Sequence, residues 1–401
     1  MATAATDLGS VLARYASTFH EVLGKGHHVA SPLGAWLLLA LCGPATSGAD
    51  RAALADVLGT DPDEASAMAA AMLAAPHPLV AAAAAVWNKP GMADQGWLDG
   101  LPATVERGDI PSQPAADDWA RRHTFGLIDR FPLTVDDTIY ILLATALATK
   151  VSWDCPFELA PGSVLGESSP WAGQLAQVLR SPRHPGHSAF IATTAQAGDV
   201  AVHVGRARGG LLVASVIAAA DVPPGDVLAA AHGLAMSSAA GRRDGRRSLF
   251  DLPIGEAPLW SLREEASHSG DDERCTAVLP AWSARSEYDL SDPRLGFAAA
   301  AHALGQGDPW RARQAATASY SRIGFEAGAV TAMAVMLSAL APRHGVLRIA
   351  ELRFGHPYAV VAVTADEDTG SRLRPAGGHG PWHGVPVFSA WVADPHDAAD
   401  E

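Results

Sequence analysis

The sequence predicts an α+β fold with more than one β-sheet. Three observations predict it: helix-forming patterns crowd the first ninety residues, several apolar strands that are not adjacent in sequence follow, and no repeat or linker divides the chain. Of the 401 residues, 48% are hydrophobic and 18% charged, enough apolar material for one large core or two smaller ones. A formal net charge of -14 repels phosphate backbones and anionic lipid, so neither nucleic acid nor membrane is an expected partner.

Residues 8 to about 90 are rich in Ala and Leu at helical spacing, with helix-start signals at Ser31-Pro32 and from Ser47 to Asp50. The run from Thr138 to Val151 carries few charges and stops at Ser152-Trp-Asp-Cys-Pro156, as a buried central strand followed by a turn would. In 160–275, loops around Pro182–Gly186 and Gly241–Gly245 separate short apolar runs such as Gly210–Ala220. Ala277–Leu290 alternates like a strand, Gly296–Leu304 is patterned as a helix, and Ser321–Phe325 alternates again. Tyr358–Val363 and Val387–Val392 are two closing apolar strands.

Cys42, Cys155 and Cys275 are odd in number and far apart, which fits free thiols rather than a disulfide framework or a zinc site. No basic segment followed by an apolar run opens the chain, and the longest apolar stretches, Trp36–Cys42 and Leu211–Ala220, fall short of the roughly 20 residues a membrane helix needs. The expectation is a soluble, cytoplasmic protein. Ser168 has the nearest approach to a nucleophile elbow, but Pro170 stands where its last Gly belongs. His184 with His187, and His379 with His383, have metal-compatible spacing yet lack a thiolate or helical frame, so they read as solvated loop histidines. Arg242, Arg243, Arg246 and Arg247 form a basic loop that reads as solvated, with polyanion binding as the alternative. No metal, cofactor or catalytic residue is expected.

Ala329–Ala341 holds no charge, no Gly and no Pro, and lies between Glu326-Ala-Gly328 and Pro342-Arg343-His344-Gly345. By composition it is a buried helix or a core strand. At about 3.3 Å per residue it would extend to roughly 43 Å as a strand.

Six short motifs give this segment another meaning. His27-His-Val-Ala-Ser31-Pro32-Leu33 resembles the serpin pattern N-x-F-x-S-P-L, with His27 in place of Asn. Trp119, Thr124, Gly126 and Ile128 fill the serpin pattern W-x(4)-T-x-G-x-I. Lys150, Trp153, Pro156 and Phe157 keep the register of N-A-x-x-F-K-G-x-W-x-x-P-F, with Thr145 for Asn and Val151 for Gly. Leu279-Pro280-Ala-Trp282 with Tyr288, Gly355-His-Pro357-Tyr358, and Val387-Phe388 through Pro395 are similar to later family motifs, in family order.

The resemblance implies a single serpin-like domain over 8–396 with three sheets, mainly N-terminal helices and an exposed reactive-centre loop, the hinge and loop covering 326–347. It implies a monomeric inhibitor of serine proteases, not an enzyme, whose loop enters a sheet as a new strand after attack. The hinge is then Glu326, Gly328, Ala329, Val330, Thr331 and Ala332. An uncharged insert suits that role because a charge in a sheet interior must be desolvated, and Pro would remove a ladder hydrogen bond. The reactive bond is placed at Arg343–His344, which implies a trypsin-like target; cleavage after Leu340, Ala341 or Pro342 is the alternative. Ala329 replaces the family's Thr or Ser, and Val330, Met333, Val335 and Met336 are bulky for a hinge. These departures leave open a non-inhibitory binding or carrier protein whose loop is only a protease substrate. The family's extracellular life is likewise open.

Overall fold

The computed structural model describes residues 8–243, 245–268, 270–305, 310–325, 344–365 and 380–399. The chain packs as two compact units whose segments alternate along the sequence: Met1–Lys150 with Ala284–Thr317 and Val363–Ser389, and Val151–Ser283 with Ala318–Ala362 and Ala390–Glu401.

In the first unit, the helix Pro32–Cys42 is apolar all round and buried except at Leu38, as a central core helix must be. Ser31 caps it: its hydroxyl accepts from Gly34 N at 3.3 Å, and Pro32 takes the first turn, where its missing N–H costs nothing. Helices Leu8–Leu23, Gly48–Leu58 and Pro62–Ala74 surround it. The helical reading of the first ninety residues fails at Val80–Asn88, which is a strand despite five consecutive alanines. It pairs antiparallel with Ile141–Thr149 from Val80↔Thr149 to Asn88↔Ile141, and that ladder outweighs alanine's helix preference, the strongest of any residue but small per position.

The Trp119 motif has a local cause. Trp119 lies on the buried face of Gln113–His123 with Ala116 and Ala120 and meets Trp87 edge-to-face at 5.4 Å. Thr124 donates to Ala120 O at 2.7 Å and accepts from Ile128 N at 3.0 Å, while Gly126 turns the chain at φ +78.

In the second unit, His187–Thr194, Gly198–Ala207 and Leu211–Ile217 form an antiparallel meander. The helix Pro224–Ala239 covers Leu211–Ile217. A six-stranded sheet runs in the order Gly255–Ala257, Trp260–Ser267, Gly345–Arg353, Asp272–Leu279, Gln177–Arg180, Glu158–Pro161. What alternation suggested as one strand over Ala277–Leu290 is two, Asp272–Leu279 and Trp282–Asp289, because Pro280 breaks the ladder.

Among the described residues the strands fall into four hydrogen-bonded groups. The motifs led to an expectation of three sheets; the described strands make four, of seven, six, four and three strands.

Candidate functional site

The segment ahead of residue 326 does not continue straight. Arg313–Tyr320 is a strand, the chain turns at Ser321–Ile323, and Gly324–Phe325 comes back antiparallel, with Phe325 opposite Tyr320. Ser321 N donates to Gly324 O at 3.0 Å to close the turn. This corrects the reading of Ser321–Phe325 as one extended run. On its other side the returning pair is again antiparallel, Gly324↔Ser152 and Phe325↔Val151. A new strand therefore begins between two older ones. Gly324 is required there, since a Cβ would lie 2.3 Å from Val151 O.

The Trp153-to-Phe157 motif builds the floor of this turn. Trp153 Nε1 donates to Ser321 O at 3.0 Å, Trp153 N to Ile323 O at 3.1 Å, and Phe157 N to Arg322 O at 2.9 Å. Trp153 packs on Tyr320 with ring centroids 4.9 Å apart, and Trp282 stacks on Tyr320 at 6.1 Å. Under Phe157 lie His187 and His203, stacked at 5.3 Å. His187 Nε2 is 2.7 Å from Cys155 O and so carries the hydrogen; its Nδ1 then accepts from His203 Nε2 at 3.1 Å. Burial holds both imidazoles below their ordinary value; for His187 the Cys155 carbonyl and Asp154 oppose this and His184 adds to it.

Two strands of the first unit have a strand neighbour on one side each among the described residues. Among the described residues Ile141–Thr149 has one strand neighbour, Val80–Asn88, and the Arg313–Thr317 part of the following strand has one, Trp282–Asp289. The sequence reading of 138–151 as a central strand is corrected: among the described residues Ile141–Thr149 stands at the end of its three-stranded sheet. The two strands lie close, because Ala315 packs against the cluster that holds Leu142, Ala144 and Ala146. Both are tied to the capped helix start. Thr145 donates to Gly34 O at 2.8 Å; Gln314 donates to Ser31 O at 2.9 Å and accepts from Ser31 N at 3.0 Å; Ser31 donates to Val387 O at 2.9 Å. Gln314 went unnoticed in the sequence, as did Gly324: neither belongs to a motif, and each acts through backbone brought from far along the chain.

Of the residues picked from sequence, Glu326, Gly328, Ala329, Val330, Thr331, Ala332 and Arg343 lie outside the described residues, as does His379. His344 is exposed and meets His268 edge-to-face at 5.8 Å. Gly345–Leu347, the last residues of the stretch expected as hinge and loop, pair in the six-stranded sheet. His187 joins His203 rather than His184, whose Nδ1 accepts from Gly186 N. Ser168 is exposed in a turn, and among the described residues no imidazole is bonded to it. In the basic loop Arg246 stacks on Phe190 at 4.1 Å and Arg247 pairs with Asp199, leaving Arg242 and Arg243 exposed. Cys42, Cys155 and Cys275 are free thiols, and no described helix is long and apolar enough to cross a membrane.

No protein-family model and no curated protein sequence matches the chain. Solved structures do. A thermophilic serpin, tengpin in its native state, matches at 12% identity and TM-score 0.63 over 96% of this chain and 93% of its own. Human glycosylated kallistatin matches at 14% and 0.61 over 98% and 100%. Human thyroxine-binding globulin complexed with its ligand matches at 12% and 0.61 over 97% and 98%. At these identities the likeness concerns architecture, and with the motif geometry above it leads to one conclusion: this chain has the serpin fold.

Proposed function

We propose that the protein inhibits a serine protease by taking its own cleaved loop into a sheet, the two interleaved units acting as one inhibitory domain over 8–396. The observation that carries this reading is the turn at Ser321–Ile323, after which Gly324–Phe325 starts a strand antiparallel to both neighbours. The next residues, through the uncharged Ala329–Ala341, suit a buried strand. Among the described residues Ile141–Thr149 and Arg313–Thr317 each have a strand neighbour on one side. The protease attacks the reactive bond and forms an acyl-enzyme, and insertion of the freed strand outruns hydrolysis. The protein supplies no catalytic group; it supplies a fold that gains a strand.

Arg343–His344 is our choice of reactive bond. Arg343 is the one charged side chain between Gly328 and His344, and a guanidinium pairs bidentately with a pocket carboxylate of a trypsin-like enzyme. Incubation with trypsin-like and elastase-like proteases, followed by denaturing gels and mass spectrometry of the released peptide, tests both points. A stable covalent complex with cleavage after Arg343 is the expected result. Complete cleavage without a complex would favour the second reading, a binding protein of the same fold, which the bulky Val330, Met333, Val335 and Met336 support.

A further inference from the structure

The first unit holds a pocket that the inhibitory reading does not use. Its volume is about 640 Å³, within the range that accommodates a small organic ligand. Every residue lining it belongs to the first unit, and none lies within 319–347. The floor is apolar: Leu41, Trp97 and Leu101 are buried members of one core cluster. The walls come from the turn Gly43–Ala45, the helix Gln95–Gly100 and the end of the helix Phe297–Ala303, and Met92, 48% exposed, stands at the mouth.

Trp97 is fixed from two sides. Its backbone N donates to the Asp94 carboxylate at 2.8 Å and its indole Nε1 donates to Leu41 O at 2.9 Å, so the ring has no donor left for a ligand. Gly100 leaves room beside it: a Cβ there would meet nothing within 4 Å, so packing does not demand glycine, although glycine is the poorest helix former after proline. The polar side chains of the lining are Ser66 and Asp94, and no Lys, Arg or His joins them. Asp94 is exposed, and among the described residues no cationic side chain is paired with it. An anion entering here would face a free carboxylate on a chain of net charge -14, whereas a cation gains from both.

We propose that this pocket binds a small amphipathic cation, its ammonium head paired with Asp94 at the rim and its apolar body laid on Leu41 and Trp97. The floor supplies most of the affinity, since removing apolar surface from water is the large, non-directional gain; the carboxylate supplies the choice of head group. The proposal stands apart from the protease reading, because the pocket shares no residue with the turn at Ser321–Ile323 or with the segment that follows it.

Isothermal titration of the whole protein with n-octylammonium, 1-octanol and octanoate at pH 7.5 and low ionic strength separates the body from the head. Octylammonium should bind saturably at one site, and octanoate at least about tenfold more weakly. Asp94→Asn keeps a side chain able to cap Gln95–Gly100; it should weaken octylammonium about three- to tenfold and leave octanol within about twofold. Ala45→Phe and, from another wall, Ala303→Phe fill the pocket, and each variant that keeps the parental far-UV spectrum should lose octylammonium and octanol alike. Octanoate binding as tightly as octylammonium, an Asp94→Asn variant of unchanged affinity, or folded filling variants that bind as the parent does would overturn the proposal. So would a parental protein that shows no saturable binding of octylammonium.

Discussion

The two ends of the segment between Phe325 and His344 are anchored by different physics. Ahead of it, Gly324–Phe325 touches its neighbours through a few backbone pairs over a floor of aromatic rings and neutral histidines. Behind it, Gly345–Arg353 is paired along both edges and pinned by charged side chains. The leading end thus rests on a few backbone pairs and the trailing end on two ladders. On the proposed insertion, cutting the chain between them lets the leading end gain a strand while the trailing end keeps its own.

Severing should therefore have the largest effect. Cutting within 326–343 is expected to raise the thermal midpoint by roughly 10 °C or more, since on the proposed insertion a full strand then joins a sheet. Scanning calorimetry of cut and uncut protein checks it, and Ala332→Arg should abolish the gain while leaving the uncut midpoint within about 2 °C, because an exposed position tolerates a charge that a sheet interior does not.

Acid should act through buried imidazoles, two of them under the leading end and one on the helix Pro224–Ala239. His187 and His203 are held below the ordinary imidazole value by burial, and His232, under the same cause, falls to about 4. The unfolded chain thus binds more protons below pH 6.5, and stability declines as pH falls from there toward 4, by on the order of 3 kcal/mol from His232 alone. Urea midpoints between pH 7.5 and 4.5 should fall along that slope. His203→Phe should flatten it in part; a flat profile in the parent would mean that these imidazoles take up protons alike in the folded and unfolded chain.

Smaller still are the two glycines at the segment's borders. Gly345→Ala should destabilise the uncut protein by about 1–3 kcal/mol, since the backbone of Gly270 and Asp271 has no room to give. Gly324→Ala should instead reduce the gain on cutting, because it blocks the approach to Val151 O on which the new strand starts. Paired chemical-denaturation curves, cut and uncut, separate the two. Least disruptive to stability is Arg343→Ala, expected to change the midpoint by less than about 1 °C while moving trypsin cleavage away from 343. Continued trapping of trypsin by this variant would reassign the reactive bond.

Much of the architecture was legible in the sequence, and the reason is local. Ser31-Pro32 announces a helix start because a hydroxyl and a ring preset the first turn whatever surrounds them. Trp119 through Ile128 carries its own turn chemistry in Thr124 and Gly126. Trp153 and Phe157 keep family spacing because each must reach the same turn, yet nothing in their spacing says that Ser321 through Ile323 supplies the carbonyls. Val80–Asn88 was misread for the complementary reason: five alanines carry no period, and only the ladder to Ile141–Thr149 makes them a strand.

By itself the sequence determined the α+β class, the helix starts, the free thiols and an insert without charge, all of which depend on side-chain type and short spacing. Tertiary structure alone decided that the chain reverses at Ser321–Ile323, that His187 finds His203, that Gln314 grips Ser31, and that Gly345–Arg353 lies between two strands. Those are pairings between residues far apart along the chain. A ladder is specified by which backbone arrives beside which, and no local pattern records an arrival.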